Sequence, residues 1–536
     1  MRPRRFPAAL WIALLFIALG APFLRKTGLH YDASYELAAF YPCASPVFKP
    51  ALFGLDAPLM VLPYLGTLKT WLYLPILTYL DVTVQSVRLP FLLIGATSVW
   101  LFFAILERVY GRRAAIGGAL LLATDVSFLI ATTYDFGPIA LLHCFLLAGV
   151  LMLLRFEQTG PSKLLAAAFF LFGLALWHKA LFIWMLGGLT VATAIIFPRR
   201  VLALVSLRRV SIAAVAICAG AAPLIYYNVE SHGGTFRTGE VMSSSAPFAQ
   251  KLLILRRTME GSVLFGWLTE EASPETTIAP RGTIQQASAQ LSKGLGSTTS
   301  DWMVYAFAAS LCLVPWLWFT PARKPAVFAV VYLAVTWGLM ILLPKTGASL
   351  HHVILLWPFP HFLIAIAGAQ ISHSIGRRGA PAMAVALAGL AGCNLLVVNH
   401  VYADLVTHGA TAIWTDAIFP LFGYLDSLEG RKVIAVDWGY STTLCLLSDG
   451  SMPAQDISAP LLNQSGADDA AIGVLMKNPY TVFVGYHGEN EIMPGVREHL
   501  ASIAKKTALE KAVIAQFADR NNRLRFDVFR YVEPGK

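Results

Sequence analysis

Asp32 and Glu36 stand four residues apart in His30-Tyr31-Asp32-Ala33-Ser34-Tyr35-Glu36, directly behind the first apolar run of the chain. On a helix this spacing puts both carboxylates on one face. A carboxylate beside a bilayer costs stability, so in an apolar chain it usually serves a function. Two such groups suit transfer to a hydroxyl. One takes the proton of the attacking hydroxyl, and the other helps hold the acceptor or a metal ion. Spacing alone leaves a plainer reading open: acids at the solvated N-terminus of a short helix, favoured there by its dipole.

More polar residues fall at the same ends of the apolar runs: Lys69, Arg88, Asp135, His178, Lys179, Lys345, His351 and His352. Lys and Arg can hold a lipid phosphate or diphosphate leaving group. Singly, Arg88, Lys179 and Lys345 could instead snorkel to headgroups, and the two histidines could bond a loop at the interface. Acids and bases gathered on one membrane face point to a reaction there, between a lipid-borne group and something arriving from outside.

The elements that must position them follow from composition. The 536 residues are 57% hydrophobic and 13% charged, with mean hydropathy +0.62. Soluble domains carry about 25% charged residues. The expected class is therefore mainly α, a polytopic membrane protein. The net charge of +10 does not imply nucleic acid, because the basic residues sit in short clusters between apolar runs, as in cytoplasmic loops. Pro7–Leu24 follows Arg2, Arg4 and Arg5 and lacks a small-residue cleavage site, so it reads as an uncleaved first span.

One assignment places the basic clusters at 108–113, 155–163, 199–209, 323–324 and 377–378 inside. The spans are Pro7–Leu24, Leu89–Leu106, Ala114–Ala131, Phe136–Leu154, Leu164–Trp177, Leu181–Phe197, Val210–Tyr227, Trp302–Phe319, Pro325–Leu343, Leu350–Ile371 and Ala382–Val398. That gives about 11 transmembrane helices, external loops at 25–87 and 228–300, a cytoplasmic N-terminus and an external C-terminus. The apolar stretches within 58–80 are read as proline-broken helices lying in the outer interface, since a further span would invert every later loop. Composition shifts near residue 400, which divides the chain into a membrane domain, 1–400, and a C-terminal extracytoplasmic α/β domain, 401–536. In the latter, Val433–Val436 and Tyr480–Val484 read as strands, 495–509 as a helix, and Ala512–Phe517 with Leu524–Tyr531 as a hairpin. Cys43 and Cys445 both lie outside under this assignment and could pair. No Cys/His spacing suggests zinc.

An ordered set of segments resembles the GT-C glycosyltransferases. It begins with Tyr31-Asp32-Ala33-Ser34-Tyr35-Glu36. Gly66-Thr67-Leu68-Lys69-Thr70-Trp71, Arg88-Leu89-Pro90, Gly111-Arg112-Arg113 and Ala123-Thr124-Asp125-Val126 follow. Then come Tyr134-Asp135-Phe136-Gly137-Pro138, Gly173–Lys179 and His351–Pro360. The order is similar to the branch holding protein O-mannosyltransferases, aminoarabinose transferases and bacterial polyprenyl-phosphate-sugar transferases, and it spans roughly residues 1–400. Those relatives usually carry adjacent Asp-Glu in the first loop. Here the second acid comes only at Glu36, so Asp32 is the better match.

The resemblance implies an inverting transfer of a sugar from a polyprenyl-phosphate carrier to a lipid, glycan or protein acceptor at the outer face of the cell's inner (plasma) membrane. Asp32 would be the general base. Glu36 and Asp135 would orient the acceptor or a metal. Lys69, Arg88, Lys179, Lys345, His351 and His352 would bind the lipid phosphate. No cofactor is fixed by the sequence, and a divalent metal is compatible with it. The competing class is a transporter or lipid flippase, which should show midplane charges on broken helices and often a repeat. A scaffold working through residues 401–536 would leave Asp32 and Asp135 unexplained.

Overall fold

The computed structural model describes residues 7–52, 54–237, 246–296, 298–342, 346–428, 430–452, 454–463, 466–488 and 490–534. Lys345, Arg2, Arg4 and Arg5 lie outside them. Most of the chain is helical, and each of the 11 expected spans coincides with an apolar helix or a bent pair of helices. Among the described residues, five helices can cross a membrane by length and composition, or up to eight if each bent pair is one span. Three shorter apolar helices, Ala8–Phe23, Ser162–His178 and Met303–Cys312, stand at the remaining expected spans.

The bends have local causes. Asp125 has extended backbone, and its Oδ1 accepts the Phe128 N–H at 2.7 Å, capping the helix Val126–Thr133. The preceding helix, Arg112–Thr124, therefore ends there, and the two axes differ by 61°. Pro198 opens the helix Pro198–Leu204, which turns 101° from Phe182–Ile196. A proline has no N–H to continue the previous helix, yet suits the first turn of the next.

The reading of residues 58–80 needs a correction. Only Leu68–Tyr79 is helical; Met60–Leu62 and Leu65–Gly66 pair as antiparallel strands. Pro63 and Tyr64 form the turn between the strands, and the apolar residues before it are buried rather than laid on a membrane surface. Gly66 is needed because a Cβ there would lie 2.1 Å from the Trp177 carbonyl. The strand pair thus locks onto the end of the helix Ser162–His178. The helix Leu68–Tyr79 does present Trp71, Leu72 and Leu74 to the surroundings.

The shift near residue 400 falls inside the helix Gly379–Thr407. Beyond it lies a five-stranded sheet in the order Gln455–Asp456, Lys432–Ala435, Thr481–Tyr486, Leu524–Val532, Glu510–Ala518. The first three strands are mutually parallel, and the last two form the expected hairpin. Val433, Ala435, Val482 and Val484 point into one core, Ile434 and Phe483 into another. The helix Val496–Lys506 covers the second face with Val496, Leu500 and Ile503. Cys43 and Cys445 are disulfide-bonded, with Cα atoms 5.9 Å apart. The bond ties the acidic first loop to the helix Ser441–Leu447 of the C-terminal unit.

Candidate active site

Asp32 and Glu36 lie on the short helix Tyr31–Leu37. His30 caps it, its Nδ1 accepting the Asp32 N–H at 3.1 Å. The two carboxylates then meet different surroundings. Glu36 is fully buried, with Oε2 3.3 Å from Lys69 Nζ and Oε1 3.5 Å from His178 Nδ1. Asp32 is half-buried. Its Oδ2 accepts the Gly137 N–H at 3.0 Å, and Oδ1 carries no hydrogen bond among the described residues.

Asp135 sits in the link between Val126–Thr133 and Ala140–Thr159, with φ +47°. Its Oδ1 accepts the N–H groups of Ile139 at 3.1 Å and Ala140 at 3.0 Å, where the next helix begins. Its Oδ2 takes Lys69 Nζ at 3.0 Å. Gly137 has φ +69°, and a Cβ there would lie 2.2 Å from His351 Cβ. Glycine therefore lets the backbone pass between Asp32 and His351. The Gly137 N–H serves Asp32 while its carbonyl accepts Lys179 Nζ. One peptide segment thus joins the half-buried acid to a buried base.

Lys69, Glu36 and Asp135 form a closed buried cluster, with the His178 ring against Glu36. Burial favours the neutral lysine, but Asp135 and Glu36 outweigh it and hold the ammonium above its ordinary pKa. Burial likewise raises the Glu36 carboxyl to about 8, against the pull of Lys69. Lys179 stands at the end of Ser162–His178 and is 2% exposed. Burial pushes its ammonium down to about 8, with Asp32, Glu36 and Asp135 opposing the shift. His351 and His352 pack ring to ring at 4.3 Å. Ser349 Oγ lies 2.8 Å from His351 Nδ1, and the Gly347 N–H donates to His352 Nδ1 at 3.3 Å.

The structure brings Asp32, Glu36, Lys69, Asp135, His178, Lys179, His351 and His352 to one place. Two of the expected phosphate ligands, Lys69 and Arg88, meet protein acceptors. Lys69 is fully buried, with both neighbouring carboxylates on its ammonium. Arg88 is 1% exposed and faces protein acceptors. It donates to the carbonyls of Leu24, Thr27 and Gly28 and to Thr27 Oγ1, over the Tyr134 ring. It clamps the chain between the first helix and the acidic loop. Glu36 and Asp135 likewise meet protein partners.

Sequence reading passed over Lys251, in the helix Phe248–Met259 of the long segment 228–300. It lies beside Gly347 and His352. It also did not single out the chemistry of Asp125, whose Oδ2 accepts Trp357 Nε1 at 3.0 Å and lies 3.0 Å from His361 Nε2. The only sequence signal for Lys251 is a cation in an amphipathic stretch of the segment 228–300. Among the described residues, no group of three or more His, Cys, Asp or Glu side chains is placed to hold a metal. The acids near Asp32 face lysines instead.

This arrangement sits on a fold shared with known membrane transferases. The chain superposes on ArnT from Cupriavidus metallidurans, solved bound to undecaprenyl phosphate, with TM-score 0.56 at 13% identity, over 97% of each chain. It superposes on the oligosaccharyltransferase of Archaeoglobus fulgidus in the apo form with TM-score 0.52 at 12% identity, covering 95% of this chain and 69% of the other. The chain therefore has the fold of the GT-C glycosyltransferases. Residues 67–227 match the family described as dolichyl-phosphate-mannose-protein mannosyltransferase. No curated protein sequence matches the chain.

Proposed function

We propose that the chain is an inverting glycosyltransferase of the outer membrane face. It takes a sugar from a polyprenyl-phosphate carrier and passes it to an acceptor hydroxyl, with Asp32 as general base. The observation that carries this reading is the difference between the two acids. Glu36 is sealed against Lys69 and His178, whereas Asp32 is half-buried, held through one oxygen by the Gly137 N–H and open at the other.

The acceptor hydroxyl approaches the open Asp32 oxygen and loses its proton there as its oxygen attacks C1 of the sugar. The C1–O bond to phosphate breaks on the opposite face. The departing polyprenyl phosphate changes from a diester to a monoester and gains negative charge. A nearby ammonium therefore stabilises the leaving group more than the bound donor. Lys179, joined to Asp32 through Gly137, is placed for that task, with His351 and His352 beside it. Asp135, Glu36 and Lys69 position rather than react: they hold the Tyr31–Leu37 helix against the start of Ala140–Thr159. The fold shared with a protein solved bound to undecaprenyl phosphate supports a polyprenyl donor. A cytoplasmic N-terminus and an external C-terminal unit complete the reading, in keeping with the basic clusters behind the spans.

The test is incubation of membranes holding the chain with radiolabelled polyprenyl-phosphate sugars. The expected result is donor cleavage, free polyprenyl phosphate and a product of inverted anomeric configuration. Movement of intact donor across the bilayer without cleavage would favour a flippase.

A further inference from the structure

The segment Asp437-Trp438-Gly439 follows the strand Lys432–Ala435 and is used by no step above. Its position is closely built. The Trp438 N–H donates to Asp437 Oδ1 at 2.7 Å. Asp437 in turn accepts the N–H groups of Ile492 at 2.9 Å and Met493 at 3.1 Å. So fixed, the Trp438 ring reaches Tyr31, the neighbour of Asp32, with centroids 4.5 Å apart. Tyr31 stacks on Tyr35 at 4.8 Å, one helical turn on. All three rings are half-buried. Asp456, an exposed carboxylate held by Ser441 Oγ at 3.0 Å, lies within electrostatic reach of the Tyr31 hydroxyl.

Packing alone does not require this arrangement. The C-terminal unit has other fasteners on the acidic loop: the Cys43–Cys445 disulfide, the Thr443–Ser34 hydroxyl bond at 3.0 Å, and Arg520 on the Lys26 carbonyl. Cys445 and Leu446 are buried with Leu37 and Ala38. Three partly open rings beside two carboxylates form a different kind of surface. A pyranose ring matches it: an apolar C–H face for the aromatic rings and a rim of hydroxyls for the acids.

We propose that Trp438, Tyr31 and Tyr35 form an aromatic platform, shared by the C-terminal unit and the acidic loop, that binds a pyranose ring of a carbohydrate acceptor beside Asp32. The C-terminal unit is then part of the acceptor site. The word acceptor rests on the glycosyl-transfer reading; the binding of a pyranoside does not.

The experiment uses the full chain, purified in detergent, and saturation-transfer NMR with disaccharides of glucose, mannose, galactose and N-acetylglucosamine. A serine-containing hexapeptide is the counter-probe. At least one disaccharide should take saturation on one ring face. Trp438→Leu keeps the apolar bulk, loses the aromatic face and should weaken binding about tenfold. Trp438→Phe should retain most of it. Pyranoside binding by the wild type, and its loss in Trp438→Leu, is read without any transfer, whereas transfer in Asp32→Asn tests the glycosyl-transfer reading, so the two fail separately. Thiol alkylation confirms that Cys43 and Cys445 stay paired in each variant. Absence of disaccharide binding, equal binding by Trp438→Leu, or Trp438-dependent binding of the peptide alone would overturn the proposal.

Discussion

Replacing Lys69 by Met removes the one ammonium that faces both Glu36 and Asp135. Its Nζ lies 3.3 and 3.0 Å from their oxygens, and all three side chains are fully buried. At an effective dielectric of about 20, each contact is worth roughly 5 kcal/mol before desolvation is counted. Desolvation offsets most of that, but Lys69→Met does not restore it, because the two acids stay buried without the ammonium between them. Removing one member of a buried pair costs about 3–5 kcal/mol. Part is recovered if one acid takes a proton, which Glu36, already raised to about 8, does readily. The loss should therefore sit near the lower end, about 3 kcal/mol, on the order of a hundredfold in the open population. Proteolysis in detergent reads this as faster cleavage of the 25–87 loop. Adding Glu36→Gln and Asp135→Asn to Lys69→Met should restore much of the resistance, since no charge is then buried. Wild-type resistance in Lys69→Met, or no recovery in the triple variant, would refute the reasoning.

Three further outcomes are expected. The Lys179 ammonium loses its proton as pH rises through about 8, so turnover should fall above that pH; Lys179→Arg, which stays charged, should flatten the alkaline limb, and an unchanged limb would assign it to another group. Cys43→Ser with Cys445→Ser should leave the chain in the membrane but cost about 2–5 kcal/mol in the attachment of the C-terminal unit, read as easier proteolysis between residues 407 and 430. Cysteines placed at Ser45 and Gly488 should react with an impermeant thiol reagent in intact cells, and one at Ser374 should not; labelling of Ser374 alone would invert the orientation.

Much of the fold was legible because its signals are local. Apolar runs located the helices at the expected spans, a short apolar run located the strand at 481–486, and period-two patterning located the hairpin strands at 510–518 and 524–532. The strand pair at 60–66 was not legible, because its burial depends on Trp177, more than a hundred residues away. The gathering of site residues in one place was legible from the ends of the spans. Their division of labour was not. Asp32 and Glu36 share a helix and a residue class; only the fold decides that one meets Lys69 and the other the Gly137 N–H. Arg88 shows the same limit: its sequence marks a cation at the start of a span, but its four protein acceptors come from residues 24–28, folded back onto it.

The central claim is that Asp32 is the base that activates the acceptor. Its most direct test is transfer from a polyprenyl-phosphate sugar at saturating donor, comparing the wild type with Asp32→Asn, which keeps the shape and the Gly137 contact but not the basicity. The account predicts a fall of about 10²–10⁴ in turnover, with gel-filtration behaviour unchanged and a smaller loss in Glu36→Gln. Near-normal turnover in Asp32→Asn would contradict it.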